Sequence, residues 1–353
     1  MKVCVIGCGA VARRAHIPVF QSIPGVEVAS VVDTNESLAK QVSKEFGIKE
    51  YYTDYRRALR DDITLASICT PSFTHAEIAI QAAKLGKHVL VEKPLAMNVK
   101  EAKEVLNAVN HSNVQLCVVF NYRMVPAVQQ VHERVRSGNI SRIVSMVATS
   151  HTQFPISWTR STWLYHYGGA LDDFGPHIID LLLWLNPSKL ETVSAVGGDF
   201  TGDFGFISHI YVAMRFHDTS LAVADISWLT DLFTVSIDVH GTAGRIFCDI
   251  KDNYHFETHG QVDSPIAELA SATRKSISKL KGIFTGEFFK GGIQYHSQTI
   301  TKYVTAIEKN QKPPMSGEEA LIVTAVLEGA KRSLNTRSAL HIDDVLREEM
   351  SDR

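Results

Sequence analysis

Lys2-Val3-Cys4-Val5-Ile6-Gly7-Cys8-Gly9-Ala10-Val11-Ala12 opens the chain and decides its fold. Five residues of buried-strand character run straight into two glycines, and a helical pattern, Ala10–Ser22, follows with Pro18 as a kink or early stop. The spacing is G-x-G-x-x-A. Gly7 permits a tight turn, Gly9 leaves the backbone open to a close ligand, and a small residue at Ala12 lets helix and strand pack closely. Ala10 and Val11 complete the turn at the helix N-terminus, where free amide hydrogens and a partial positive charge suit a pyrophosphate.

The same alternation continues outward. Strand patterns at Val26–Asp33, Ile63–Cys69, His88–Val91 and Gln115–Phe120 alternate with helical patterns at Glu36–Phe46, His75–Leu85 and Val99–Val109. Gly47 and Gly86 close two of the helices. Strands joined through helices must run parallel, so the spacing predicts a doubly wound α/β domain over residues 1–121. Asp33 ends the second strand, 21 residues after Ala12 (33 − 12), close to the spacing of about 20 for a ribose-binding carboxylate. That carboxylate would accept both ribose hydroxyls and repel a 2′-phosphate. Thr34 and Asn35 follow it with no adjacent arginine, so the expected cofactor is NAD rather than NADP.

After residue 121 the rhythm changes. Helical patterns at Pro126–Ser137 and Gly169–Leu185 precede β runs at 190–197, 207–216, 220–229, 233–240 and 245–249, and helices at His296–Lys309 and Gly317–Leu334 finish the chain. This predicts a second α/β domain over 122–345 with a mostly antiparallel sheet and helices on one face. The apolar runs between 207 and 249 would leave the other face open, so a homodimer or homotetramer through that sheet is expected. Residues 251–292 are polar and locally basic, which suits a surface insertion, a lid or an interface loop.

Composition narrows the function. The chain has 353 residues, enough for about two domains. With Lys plus Arg 36 against Asp plus Glu 38, it lacks the basic excess that phosphate contacts need, so no nucleic-acid partner is expected. No apolar run approaches the roughly 20 residues that span a bilayer, and Val3–Ile6 is shorter than a secretory core, so a cytoplasmic protein without a membrane partner is expected. Five cysteines without a C-x-x-C pair suggest buried, reduced thiols, with Cys8 set apart by its place in the glycine turn.

Two further segments carry chemistry. Glu92-Lys93-Pro94 puts a charged pair at the carboxyl end of a buried parallel strand, where doubly wound sheets bind ligands; a cis bond before Pro94 is compatible. In Gly168–Asp180, a helix from Gly169 would set Asp173 and His177 at i and i+4, with Asp180 one turn on and Asp172 turned away. A carboxylate beside an imidazole can hold its tautomer and raise its basicity. A metal site from Asp173, His177 and Asp180 is an alternative without a second histidine cluster to support it.

Together these segments resemble the glucose–fructose oxidoreductase / inositol dehydrogenase (Gfo/Idh/MocA) family. The resemblance rests on Gly7–Ala12 with Asp33, Cys69-Thr70-Pro71-Ser72-Phe73-Thr74-His75, Glu92-Lys93-Pro94, Asn121-Tyr122-Arg123 and Gly168–Asp180. It implies a Rossmann domain followed by an α/β domain with a large open-faced sheet. It also implies hydride transfer between a nicotinamide and a secondary alcohol or ketone of a sugar, cyclitol, polyol or nucleotide sugar. Lys93 would be the catalytic lysine, Asp173 the active-site carboxylate and His177 the acid–base, with Lys93 as the alternative base. Thr70, Pro71, Ser72 and His75 would lie along the cofactor, Glu92 near the nicotinamide ribose, and Asn121 and Arg123 near its nicotinamide end. Trp163-Leu164 and Tyr167-Gly168-Gly169 depart from the family's Trp-Arg and triple glycine, which puts the substrate in question more than the cofactor. His151, Arg160, Tyr165 and His166 are candidates to bond substrate hydroxyls. The rival reading is a non-catalytic NAD-binding regulator or scaffold; an aldose or biliverdin-type reductase is a third.

Overall fold

The computed structural model describes residues 1–154, 169–200, 205–259 and 293–347. The residues flanking the second glycine cluster (Arg160, Trp163, Leu164, Tyr165, His166, Tyr167 and Gly168) and most of the basic segment 251–292 lie outside the described residues. Two compact units emerge: Met1–Asn121 with Gly292–Thr324, and Tyr122–Gly291 with Ala325–Glu348. The segment ending at Thr324 groups with the first unit rather than the second.

In the first unit, strands β1 (Lys2–Ile6), β2 (Glu27–Val32), β3 (Glu50–Tyr52), β4 (Leu65–Ile68), β5 (His88–Val91) and β6 (Leu116–Val118) form one sheet in the order β3-β2-β1-β4-β5-β6. Every pairing is parallel. Neighbouring strands therefore leave in opposite directions from β1 and β4, the switch point where such sheets bind ligands. Strands β1, β2, β4 and β5 are almost wholly buried, which is why they read as continuous apolar runs.

The helices have local stop and start signals. In α2 (Glu36–Phe46) the Asn35 side chain accepts from the Leu38 N–H, and Gly47 ends the helix at φ 65°. In α5 (Val99–His111) Asn98 caps the Glu101 N–H while Glu101 accepts from the Met97 N–H, a reciprocal cap.

The pattern Ala10–Ser22 is not one regular helix. A π turn, Ala12–His16, precedes α1 (Ile17–Ser22). Pro18 falls in the first turn of α1, where its missing N–H costs nothing. Strand β3 and the short α3 (Tyr55–Ala58) were missed, because three half-buried residues give no apolar run. The α4 helix (His75–Lys84) follows β4 as expected.

The second unit holds α6 (Pro126–Arg136), β7 (Ile143–Gln153), α7 (Ala170–Asp173), α8 (Gly175–Leu185), β8 (Leu190–Gly198), β9 (His209–Phe216), β10 (Leu221–Ser227), β11 (Leu229–Gly241), β12 (Gly244–Asp249) and β13 (Tyr254–His259). The sheet order is β13-β12-β11-β7-β10-β9-β8-β14. Of its pairings only β7 with β10 is parallel. Strand β7 lies at the centre of this sheet yet was missed, as was β13. Its threonines and serines dilute the apolar signal, although its buried and exposed residues alternate as a half-covered strand requires.

The chain ends in α9 (Ile293–Glu308), α10 (Gly317–Thr336), β14 (Leu340–His341) and α11 (Ile342–Arg347). Helix α9 belongs to the first unit, where the Tyr303 hydroxyl donates to the Gln115 carbonyl at 2.7 Å. Helix α10 divides between the units at Thr324.

Helix α8 covers one face of the second sheet: a Cβ placed on Gly175 would lie 3.7 Å from Ile226 on β10 and 3.0 Å from Leu327 on α10. The opposite face exposes Val147, Val196, Tyr211 and Leu221, with Val196 75% and Leu221 52% accessible. Among the described residues no helix is long and apolar enough to cross a membrane.

Candidate active site

Gly7 shapes the turn after β1. Its φ is +97°, and a Cβ there would lie 2.6 Å from the Cys69 carbonyl oxygen. No other residue type fits both constraints. The Gly7 N–H donates to the Val32 carbonyl at 2.8 Å, tying the turn to β2. Gly9 is the opposite case, since a Cβ there would meet nothing within 4 Å. Gly9 and Ala10 are exposed, Val11 is half-buried and Ala12 is fully buried. Ala12 therefore serves the packing, and the open approach lies over Gly9.

Asp33 is held ready beside this turn. Its Oδ2 accepts from the Cys8 N–H at 3.0 Å and its Oδ1 from the Asn35 N–H at 2.9 Å. A carboxylate has about four lone-pair sites, so two remain for ligand hydroxyls. An open backbone approach next to an oriented carboxylate fits a pyrophosphate and an adjoining ribose. Cys8 contributes only its backbone. Its thiol is buried, and burial, reinforced by the Asp33 charge, pushes it up to about 12, far from reactive thiolate character.

The ends of β4 and β5 form the rest of this edge. Thr70, Pro71 and Ser72 are half-buried there, with the Thr74 hydroxyl donating to Thr70 Oγ1 at 2.7 Å. His75 follows at the start of α4. It is buried, with Nδ1 2.6 Å from the Pro94 carbonyl and Nε2 2.9 Å from the Thr70 carbonyl. Burial lowers its pKa. A neutral ring carries one N–H, so it donates to one of these carbonyls and only contacts the other, lying between the loop after β4 and the loop after β5. Lys93 is half-buried at the end of β5, and the bond to Pro94 is cis.

Glu92 stands directly after β5. It is 8% exposed, and its Oε1 lies 2.9 Å from His16 Nε2 and 3.4 Å from His296 Nε2. His16 Nδ1 is 2.8 Å from the Ser67 hydroxyl, and His296 Nδ1 is 3.0 Å from the Asn121 amide nitrogen. One assignment satisfies all four contacts: Ser67 and Asn121 donate to the two Nδ1 atoms, and each neutral imidazole donates its Nε2–H to Glu92. Burial alone would raise the Glu92 carboxyl, but the His16 and His296 bonds outweigh it and hold it well below the usual range. Glu92 thus anchors the strand end that carries Lys93. Asn121 serves the same network, and His16 and His296 were not foreseen. His16 stood in view between two arginines and Ile17-Pro18; no local pattern marks His296.

In the second unit the single helix over Gly169–Leu185 breaks at Phe174 into α7 and α8, with Pro176 in the first turn of α8. The i, i+4 register of Asp173 and His177 is therefore interrupted by a turn, because proline cannot donate within a continuing helix. His177 is 9% exposed, and its ring stacks on Tyr122 at 4.5 Å and 23°. Burial, then the Asp173 charge, raises the Tyr122 phenol, so it stays neutral as a stacking partner. Tyr122 is the further residue this site adds. Asp172 points away and pairs with Lys331.

Arg123 follows Tyr122 in sequence. Its Nε and Nη2 bond the two oxygens of Asp180 at 2.9 and 2.6 Å, both residues are buried, and its guanidinium lies 5.3 Å over the Trp184 ring. Arg123 is thus a buried anchor of α8. Breaking such a pair from one side costs about 3–5 kcal/mol. Asp180 is committed to it, which removes one ligand from the metal alternative at Asp173 and His177.

A pH prediction follows from Glu92. Its carboxyl is depressed in the folded state, so its contribution to stability is present above the unfolded value of about 4.3 and is lost as pH falls through the lower native value. Glu92→Gln should be less stable than the parent at pH 7 in urea unfolding, and the gap should close in acid. A gap that is absent at pH 7, or that stays constant down to acid, contradicts the network.

Comparison with known proteins agrees with this geometry. Residues 1–120 match the oxidoreductase family with an NAD-binding Rossmann fold, and residues 128–247 match the GFO/IDH/MocA C-terminal domain. Levoglucosan dehydrogenase of Pseudarthrobacter phenanthrenivorans is 35% identical over 210 residues, a match spanning 56% of this chain and about half, 53%, of that protein. Myo-inositol 2-dehydrogenase of Thermotoga maritima is 22% identical across 98% of this chain and 100% of its own length. The WlbA dehydrogenase of Bordetella pertussis, solved with NADH and UDP-GlcNAcA, shares the fold at a TM-score of 0.83, with 20% identity over 97% of each chain. The two matched regions cover both parts of the fold, and the chain belongs to the Gfo/Idh/MocA family of oxidoreductases, with an NAD-binding Rossmann domain.

Proposed function

We propose that this protein is an NAD-dependent dehydrogenase that interconverts a secondary alcohol and a ketone on a sugar, cyclitol, polyol or nucleotide sugar. The observation that carries the reading is the Asp33 carboxylate, fixed by two backbone amides beside the open approach over Gly9. A carboxylate in that place favours NAD over NADP by repelling a 2′-phosphate. The substrate class is supported by relatives named for levoglucosan and inositol.

The glycine turn and Asp33 would hold the dinucleotide, with Thr70, Pro71 and Ser72 along the neighbouring edge. Bound there, its nicotinamide accepts or returns hydride at C4. His177 receives the hydroxyl proton during oxidation and returns it during reduction. Tyr122 fixes the plane of its ring, and Asp173 orients it or bonds the substrate hydroxyl. The Lys93 ammonium stabilises negative charge developing on the substrate oxygen. Lys93 and His177 belong to different units, and their service to one transition state is part of the proposal.

The test is a panel of sugars, inositols, polyols and nucleotide sugars scanned for NADH absorbance, with NADP run in parallel. Turnover with NAD should exceed turnover with NADP in kcat/KM. His177→Ala should lose about 10²–10⁴-fold in rate. The double variant with Lys93→Ala should lose far less than the product of the single losses, as groups acting as a unit do. NAD binding without turnover across the panel, or His177→Ala with near-parental kcat, overturns the assignment.

We also infer that a second copy covers the open face of the second sheet, which otherwise leaves Val147, Val196, Tyr211 and Leu221 in water. Light scattering at micromolar concentration should report a dimer or tetramer, and a monomer contradicts this.

A further inference from the structure

The open sheet face carries a cluster of two imidazoles and a carboxylate that the proposed reaction does not use. His151 on β7 and His209 on β9 each stand opposite Ser227 on β10. Asp225 lies two residues earlier on β10, and so on the same face. The face is the one away from α8, because the adjoining residue Ile226 is the one that meets Gly175. His151 Nε2 lies 2.8 Å and His209 Nε2 3.1 Å from the same oxygen, Asp225 Oδ1. A set of one ligand atom from each residue fits within 4.8 Å.

Hydrogen bonding explains only half of this. His209 Nε2 makes a proper hydrogen bond to Asp225. His151 Nε2 is buried and has no hydrogen-bond partner despite its short contact, so the ring nitrogen is not aimed at that oxygen. Among the described residues no lysine or arginine pairs with Asp225, whose side chain is 15% exposed. Among the described residues its countercharge falls to the imidazoles, or to a bound cation.

We propose that His151, His209 and Asp225 bind one divalent transition-metal ion of the zinc class. Two imidazoles and a carboxylate are the ligand set of three-ligand zinc sites, in which the fourth position stays open to water or an outside group. In a tetrahedral site with bonds of about 2.0–2.1 Å, ligand atoms stand about 3.3 Å apart. The two nitrogen–oxygen separations of 2.8 and 3.1 Å need to widen only slightly, and the nitrogen–nitrogen pair lies within 4.8 Å. Imidazole nitrogen excludes the preference of magnesium and calcium for all-oxygen sites. The ion would clip β7, β10 and β9 together from the outer face.

The experiment uses the full-length protein after treatment with a chelator and dialysis, titrated with zinc chloride in a calorimeter and with cobalt chloride in a spectrophotometer. We expect one zinc ion per chain, and visible cobalt bands without thiolate charge transfer, since all five cysteines are buried. Zinc should raise the melting temperature of the parent. His209→Gln and Asp225→Asn, each confirmed as folded by circular dichroism, should weaken binding by at least the roughly 10–100-fold that loss of an outer-shell partner costs, and should lose the thermal shift. His151→Gln, on the neighbouring strand, provides the same test should either variant fail to fold. Absence of saturable uptake, or uptake unchanged in the folded variants, overturns the site.

Discussion

The close approach of Gly7 to the Cys69 carbonyl is the constraint on which the first unit depends. The turn after β1 must pass against the end of β4, in a left-handed backbone, with its N–H bonded to Val32 at the end of β2. Only a glycine satisfies all three demands. Once it does, the consequences are local and geometric. Gly9 faces open space, the Cys8 thiol turns inward and is buried, and the Cys8 N–H meets Asp33. One residue without a side chain thus sets both the open backbone over Gly9 and the place of the Asp33 carboxylate beside it.

A second layer of order comes from buried side chains that tie loop to loop and strand to helix. His75 lies between the loop after β4 and the loop after β5, against a carbonyl of each, and Glu92 anchors β5 to two imidazoles. Lys93 sits between these fixtures in sequence, so its backbone is held on both sides. The second unit follows the same logic in its own way. Arg123 and Asp180 form a buried ion pair that fixes α8, while Tyr122, next in sequence to Arg123, stacks on His177. In both units a buried charged residue, Glu92 or Arg123, fixes the backbone beside a residue proposed for the reaction or its stacking partner.

The parallel sheet, the glycine turn and Asp33 were legible because strand period, turn chemistry and spacing all agree over Lys2–Asp33. Strand β7 was not, because its hydroxyl-bearing residues weaken the apolar pattern, though it is the centre of the second sheet. The break between α7 and α8 was only half visible: Pro176 signalled a disturbance, but whether it kinks a helix or begins a new one depends on packing against Leu171 and Leu327. The true neighbours of Glu92, Arg123 and His75 could not be read at all. His296 lies more than 200 residues from Glu92, and Asp180 lies 57 from Arg123; no local period links such pairs. The protein partners of Glu92, Arg123 and His75 come from the folded structure alone.

The central claim is that the turn after β1 grips a nicotinamide dinucleotide, and Gly9→Val tests it most directly. A side chain at Gly9 meets nothing within 4 Å, and its backbone lies outside the left-handed region, so the variant should fold and unfold like the parent. The measurement is calorimetric titration of NAD onto parent and variant, with urea unfolding of both. Saturable binding to the parent that disappears in an equally stable Gly9→Val is the result predicted here. Equal NAD affinity in the two proteins would contradict it.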